Sequence, residues 1–140
     1  MLARNRRYFT MAPRQETPFS QPERAYVKPI ILLVDEFALS DAEAFTNGFR
    51  TLGLGKIVGM PTMGWIIFTY SATLVDGSVI RVPHMGCFTL DGRDMENWGV
   101  PPDIQVEYPP ADYQAGRDPQ IERAVKELLK DSRLKRSAGP

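Results

Sequence analysis

The stretch PIILLVDEFALSDAEAF, residues 29–45, limits the possible folds more than any other part of the chain. Residues 30–34 form a continuous apolar run of strand length, the pattern of a strand covered on both faces. From Asp41 onward, Ala44, Phe45, Gly48, Phe49 and Leu52 recur at helical spacing, and Gly53 stops the helix. Residues 56–58 then read as a second strand, closed by Gly59 and Pro61. Strand, helix and strand in this order predict a parallel crossover, and with it an α/β fold.

The start of that helix has two readings. Ser40-Asp41-Ala42-Glu43 fits the capping box, in which the serine oxygen accepts from the third helical N–H and the glutamate reaches back. Asp41 and Glu43 also suit the positive end of the helix dipole. On this reading, Ser40→Ala costs about 0.5–2 kcal/mol of stability. Alternatively, Ser40 is a nucleophile displayed where a helix N-terminus stabilises an anion. Spacing alone favours the cap.

Further along, residues 65–75 and 78–82 are rich in β-branched and aromatic side chains around Asp76-Gly77, a strong hairpin signal. A short strand is expected at 87–90. The segment DGRDMENWGVPPD has loop composition, and Pro101-Pro102 gives it an extended exit. A last strand follows at 104–106. Asp118-Pro119 supplies an N-cap with proline at the first helical position, and Ile121, Val125, Leu128 and Leu129 mark a final amphipathic helix.

Three segments result. Residues 1–28 are basic and broken by Pro13, Pro18 and Pro22, as expected of an extended arm. Residues 29–130 form one α/β domain, and 131–140 a solvated tail. In the 140-residue chain, seventeen basic and seventeen acidic residues cancel, so no global field points to nucleic acid or a membrane surface. A hydrophobic content of 43% suits one modest core, and the apolar runs are far too short to span a bilayer. The single cysteine, Cys87, and the absence of an apolar segment behind the basic MLARNRRYF point to a reducing, cytoplasmic setting.

The run KPIILLVDEFALSDAEAFTNGFRTLGLGKIVGMPTMG resembles the nucleophile segment of the tail-specific, or C-terminal processing, serine peptidases. TLVDGSVIRVP, ENWGVPPDIQVE and DYQAGRDPQIERAVKELL resemble the tricorn-protease branch in particular. The resemblance implies a Clp-protease/crotonase-like α/β spiral and an enzyme without cofactor or metal. It also reassigns Ser40, which falls on the family's nucleophile, while the N–H of Asp41 falls on an oxyanion donor. A first-turn N–H is unpaired and suits developing negative charge.

A serine hydroxyl needs a base. The Ser-Lys branch of the family carries a lysine just after the Thr-x-Gly turn; here that turn is Thr62-Met63-Gly64 and the position holds Trp65, so this mechanism is excluded. Lys56 lies before the second strand and is expected to be solvated. The tricorn branch uses a histidine, oriented by a second serine and a glutamate. Glu96, in the pattern Glu96, Gly99, Pro102, Asp103, matches that glutamate, whose carboxylate would set the tautomer and hold the imidazolium.

In the tricorn branch, the histidine, its serine and the glycine completing the oxyanion hole precede the nucleophile segment. None of the thirty-nine residues before Ser40 is a histidine, and the sole histidine, His84, falls after the expected hairpin, where the family has no role for it. The chain therefore reads as the C-terminal half of a catalytic domain, inactive alone. The alternative is a non-catalytic module that binds an extended peptide or assembles with itself. The expected partners are a peptide or unfolded protein segment, a second copy in a dimer or trimer, and a histidine-bearing N-terminal half.

Overall fold

The computed structural model describes residue 26 and residues 28–131, and, of the segment before them, the strands Phe9–Met11 (β1) and Phe19–Gln21 (β2). β1 and β2 pair antiparallel, Thr10 opposite Ser20, inside the segment expected as an arm. They belong to a unit distinct from the body, which spans Ile30–Lys130.

In the body, β3 (Ile30–Val34), α1 (Asp41–Thr51) and β4 (Gly55–Gly59) make the expected crossover. β3 and β4 run parallel with Leu32 opposite Ile57, and β7 (Ile104–Gln105) joins the far side of β4 in parallel, so the order is β3–β4–β7. Ile57 and Val58 are successive strand residues and point to opposite faces, yet both are fully buried. Both faces of the sheet are therefore covered at β4, but not along β3, where covering on both faces was expected: Leu33 is 40% exposed and only Val34 is buried, because β3 is the edge strand. α1 and α3 (Pro119–Leu128) pack on β3 and β4.

Asp118 caps α3 as expected, accepting from the N–H groups of Gln120 and Ile121 at 2.9 Å each. The docked face is not the apolar one, however. Gln120, Ala124 and Glu127 are buried, while Ile121, Val125 and Leu129 are exposed. The reason lies in the polar groups. Gln120 Nε2 donates to the Val106 carbonyl at 3.0 Å, and Glu127 accepts from Lys56 Nζ at 2.9 Å and Lys130 Nζ at 2.7 Å. A side chain buried with its partners costs little; turned away, those partners are lost. The hydrogen bonds from Lys130 and Lys56 hold the Glu127 carboxyl down to about 2. Lys56 is solvated as expected, its side chain 59% exposed, and it is ion-paired as well.

The hairpin forms around Asp76-Gly77, and Asp76 Oδ1 accepts from the Ser78 N–H and hydroxyl at 2.9 and 2.6 Å. Its strands are β5 (Ile67–Thr73) and β6 (Val79–Gly86), so β6 runs further than the sequence suggested. It passes Pro83 through a bulge: Thr69 pairs with Pro83 and Phe68 with Met85, which leaves His84 as the extra residue. Pro83 has no N–H to give the ladder, and a bulge is where strands tolerate that. His84 consequently lies within the hairpin, not after it. At 87–90 there is no strand, only a single bridge between Phe88 and Asp94. The chain doubles back too soon for a longer ladder, with Thr89 N–H donating to the Arg93 carbonyl at 2.9 Å. A short helix the sequence reading lacked, α2 (Pro110–Gln114), precedes α3.

Candidate active site

Ser40 ends the loop from β3 and starts α1 at φ 56°, ψ −118°. Among described residues other than glycine, only Ser40 and Asn97 have positive φ. Asparagine adopts left-handed backbone with some ease, whereas this φ/ψ pair lies outside even the left-handed helical region and costs a serine about 1–3 kcal/mol. Such strain persists only where the surroundings impose it.

They do so through Glu43, which is 0% exposed. Its Oε2 accepts from the Ser40 N–H at 3.0 Å, while Oε1 accepts from the Thr62 hydroxyl at 2.8 Å and the Gly64 N–H at 2.5 Å. Ser40 and Glu43 keep the outline of a capping box, but the serine's half is not a formed hydrogen bond. The N–H groups of Glu43 and Ala44 donate instead to the Ser40 carbonyl, at 2.9 and 3.1 Å. The serine hydroxyl stands beside the Glu43 N–H in the box arrangement, but that N–H is spent on the Ser40 carbonyl.

The Thr62–Gly64 turn is fixed in its own right. Met63 N–H donates to the Ala38 carbonyl at 2.9 Å, and Val100 N–H donates to Thr62 Oγ1 at 2.7 Å. Asn97 N–H donates to the Gly64 carbonyl at 2.7 Å. Gly64 and Gly99, with φ of 79° and 62°, permit this close approach: a Cβ on Gly99 would overlap the Thr62 carbonyl oxygen. Residues 38–43, 62–64 and 97–100 are therefore one hydrogen-bonded block. It sits against a small apolar cluster of Ile66, Met95 and Val100, flanked by Cys87 and Trp98.

The Asp41 N–H, next after Ser40, has no hydrogen-bond acceptor among the described residues, as expected in a first helical turn. Glu96 is exposed beside Asn97, its N–H held by Asp94 Oδ1 at 2.9 Å. The block thus carries Ser40, Asp41 and Glu96 on segments tied to one another. His84 is elsewhere: its ring packs edge-to-face on Tyr70, centroids 5.5 Å apart. Trp65 is 67% exposed at the position where the Ser-Lys branch has its lysine.

Sequence reading missed Glu43 as the hub of this block. The S-x-x-E spacing showed its link to Ser40, but its other two partners lie nineteen and twenty-one residues on, on a turn read only as a place for a lysine.

Residues 2–106 match the sequence profile of peptidase family S41. Over 123 residues the chain is 38% identical to the tricorn protease of Thermoplasma acidophilum, covering 86% of this chain and 12% of that protein. The crystal structure of the tricorn protease aligns at a TM-score of 0.76 and 37% identity, over 90% of this chain and 12% of the other. The photosystem II D1 C-terminal processing protease aligns at 0.53 and 26%, over 66% of this chain and 24% of the other. The chain thus spans about an eighth of the tricorn protease's length.

Proposed function

The chain belongs to peptidase family S41, and from that premise we propose that it carries the nucleophile segment of a tricorn-type serine peptidase. Its α/β fold is that of the tricorn and C-terminal processing proteases. The observation that carries the reading is the backbone of Ser40, strained at the head of a helix and buttressed by a buried carboxylate.

In this mechanism, Ser40 Oγ attacks the carbonyl carbon of a peptide bond and gives its proton to a histidine. The Asp41 N–H donates to the oxygen that gains negative charge, and Glu96 orients the imidazole. The histidine returns the proton to the leaving amine, and water then hydrolyses the acyl group from Ser40. Glu43 acts through Ser40 and Gly64 as a positioning residue. His84, whose ring packs on Tyr70 in the hairpin, has no role in this mechanism, and the reading takes the histidine from outside these 140 residues.

The test is peptide hydrolysis by this chain alone and in the presence of a separately produced tricorn-type segment bearing the histidine. Alone, turnover should lie on the order of 10⁴-fold or more below that of a complete serine peptidase. With the added segment it should rise and depend on Ser40. Turnover by the chain alone that Ser40→Ala abolishes would contradict the missing base, and no gain from the added segment would contradict the shared site.

A second reading, self-assembly, rests on the hairpin. Phe68, Tyr70, Val79 and Ile80 are each about half exposed, more apolar surface than a two-stranded ribbon can bury. A dimer or trimer would cover it. Light scattering at micromolar concentration decides this; a monomer of 15.8 kDa would contradict it.

A further inference from the structure

The final helix, α3, is amphipathic, and its apolar stripe faces solvent. Ile121, Val125 and Leu129 lie four residues apart and so share one side of the helix, where they are 49%, 47% and 65% exposed. Leu129 follows the last helical residue but continues the spiral, its N–H donating to the Val125 carbonyl at 2.9 Å. The stripe cannot turn inward. Gln120 donates to the Val106 carbonyl and Glu127 accepts from Lys56, so another side of the helix is committed to the body. Single apolar residues on a surface need no explanation, whereas an aligned stripe on a docked helix is a surface for a partner.

The charges beside the stripe identify the partner. Glu122 and Lys126 follow Ile121 and Val125 by one position, so both stand on the same flank of the stripe. Both are exposed and opposite in charge, and neither forms an ion pair among the described residues. The other charges of the helix are spent within the chain. Arg123 and Lys130 pair with Glu127 at 3.3 and 2.7 Å, and Asp118 accepts from the first helical N–H groups. The flank therefore carries one free charge of each sign, four residues apart.

We propose that this stripe is the contact surface for a second copy of the chain, the two α3 helices packing antiparallel about a two-fold axis near Val125. Such an axis sets like flank against like flank with the chain direction reversed. Val125 then meets Val125 of the partner subunit, and Ile121 meets Leu129 of the partner subunit. Glu122 falls beside Lys126 of the partner subunit, and the symmetry repeats that pair. A flank that complements itself in this way is what a contact between identical surfaces requires. The contact is small, three apolar side chains from each copy, so the pair is weak and concentration-dependent. It uses a surface other than the hairpin and holds whether or not the chain is a peptidase.

Sedimentation equilibrium of the 140-residue chain, from about 10 μM to about 1 mM at low ionic strength, reads the association where charge pairs are least screened. A monomer–dimer equilibrium is expected, and Val125→Glu should abolish it. Glu122→Lys and Lys126→Glu should each weaken dimerisation at least about tenfold, because each sets like charges together twice. Mixed in equal amounts, those two variants should pair with each other as tightly as the natural chain pairs with itself. Both positions are exposed, so these reversals decide the matter even where Val125→Glu disturbs folding. Phe68→Ser/Ile80→Thr should leave this pairing unchanged, which separates it from association through the hairpin. A chain that stays monomeric at the highest concentration, charge reversals without effect, or a mixture no better than its components would overturn the inference.

Discussion

The block around Ser40 and the β5–β6 hairpin are built by opposite means. In the block, two segments meet at one buried carboxylate, and a third is tied to them through Thr62 and Gly64. In the hairpin, the ladder joins neighbours in sequence, its turn is closed by Asp76 and Ser78, and its apolar side chains face outward. Strain can be stored only in the first kind of structure. Ser40 keeps an unfavourable φ because releasing it would break hydrogen bonds in other segments, whereas the hairpin yields to stress locally by bulging at Pro83.

Removing the hub should break the contrast most severely. Glu43→Ala leaves the Ser40 and Gly64 N–H groups and the Thr62 hydroxyl without their acceptor, at a cost on the order of 3–5 kcal/mol, read from urea unfolding. Next comes α3, whose attachment is ionic. The Glu127 carboxyl sits at about 2 when folded, below its ordinary 4.5, so it stabilises the fold above pH 4.5. That contribution should fall away as pH drops from 4.5 toward 2, and Glu127→Gln should flatten this part of the pH–stability curve.

Ser40 gives a smaller effect that sharpens the comparison. Ser40→Gly should raise stability by about 1 kcal/mol, because glycine adopts this backbone freely. Ser40→Ala should leave thermal stability within about 0.5 kcal/mol, since no side-chain cap is lost. Spacing alone predicted a loss of 0.5–2 kcal/mol, so a loss in that range would restore the cap. Smallest of all, Phe68→Ser and Ile80→Thr should change stability by less than about 0.5 kcal/mol, while reducing any self-association through the hairpin.

Local chemistry was legible in the sequence. The crossover, the Asp76-Gly77 hairpin and the Asp118-Pro119 cap followed from periodicity and turn residues, because the interactions that fix them lie within a few positions. The resemblance placed Ser40, Asp41 and Glu96, and the fold brings their segments together. What escaped was long-range and polar. Periodicity pointed Ile121 and Val125 inward, but Gln120 and Glu127 found partners on the sheet side and took that face. Glu43 read as a surface cap because its partners Thr62 and Gly64 lie far along the chain. Hydrophobic spacing carries no record of which buried polar atoms will meet.

The account holds that Ser40 is placed as a nucleophile and takes its histidine base, the serine that orients it and the second oxyanion donor from elsewhere. Intact-protein mass spectrometry after exposure to a fluorophosphonate tests this directly, on the chain alone and with the histidine-bearing segment added. We expect no adduct at the rate typical of active serine hydrolases in the first case, and a single adduct mapping to Ser40 in the second. Rapid labelling of Ser40 in the chain alone, or none at Ser40 with the segment bound, would contradict it.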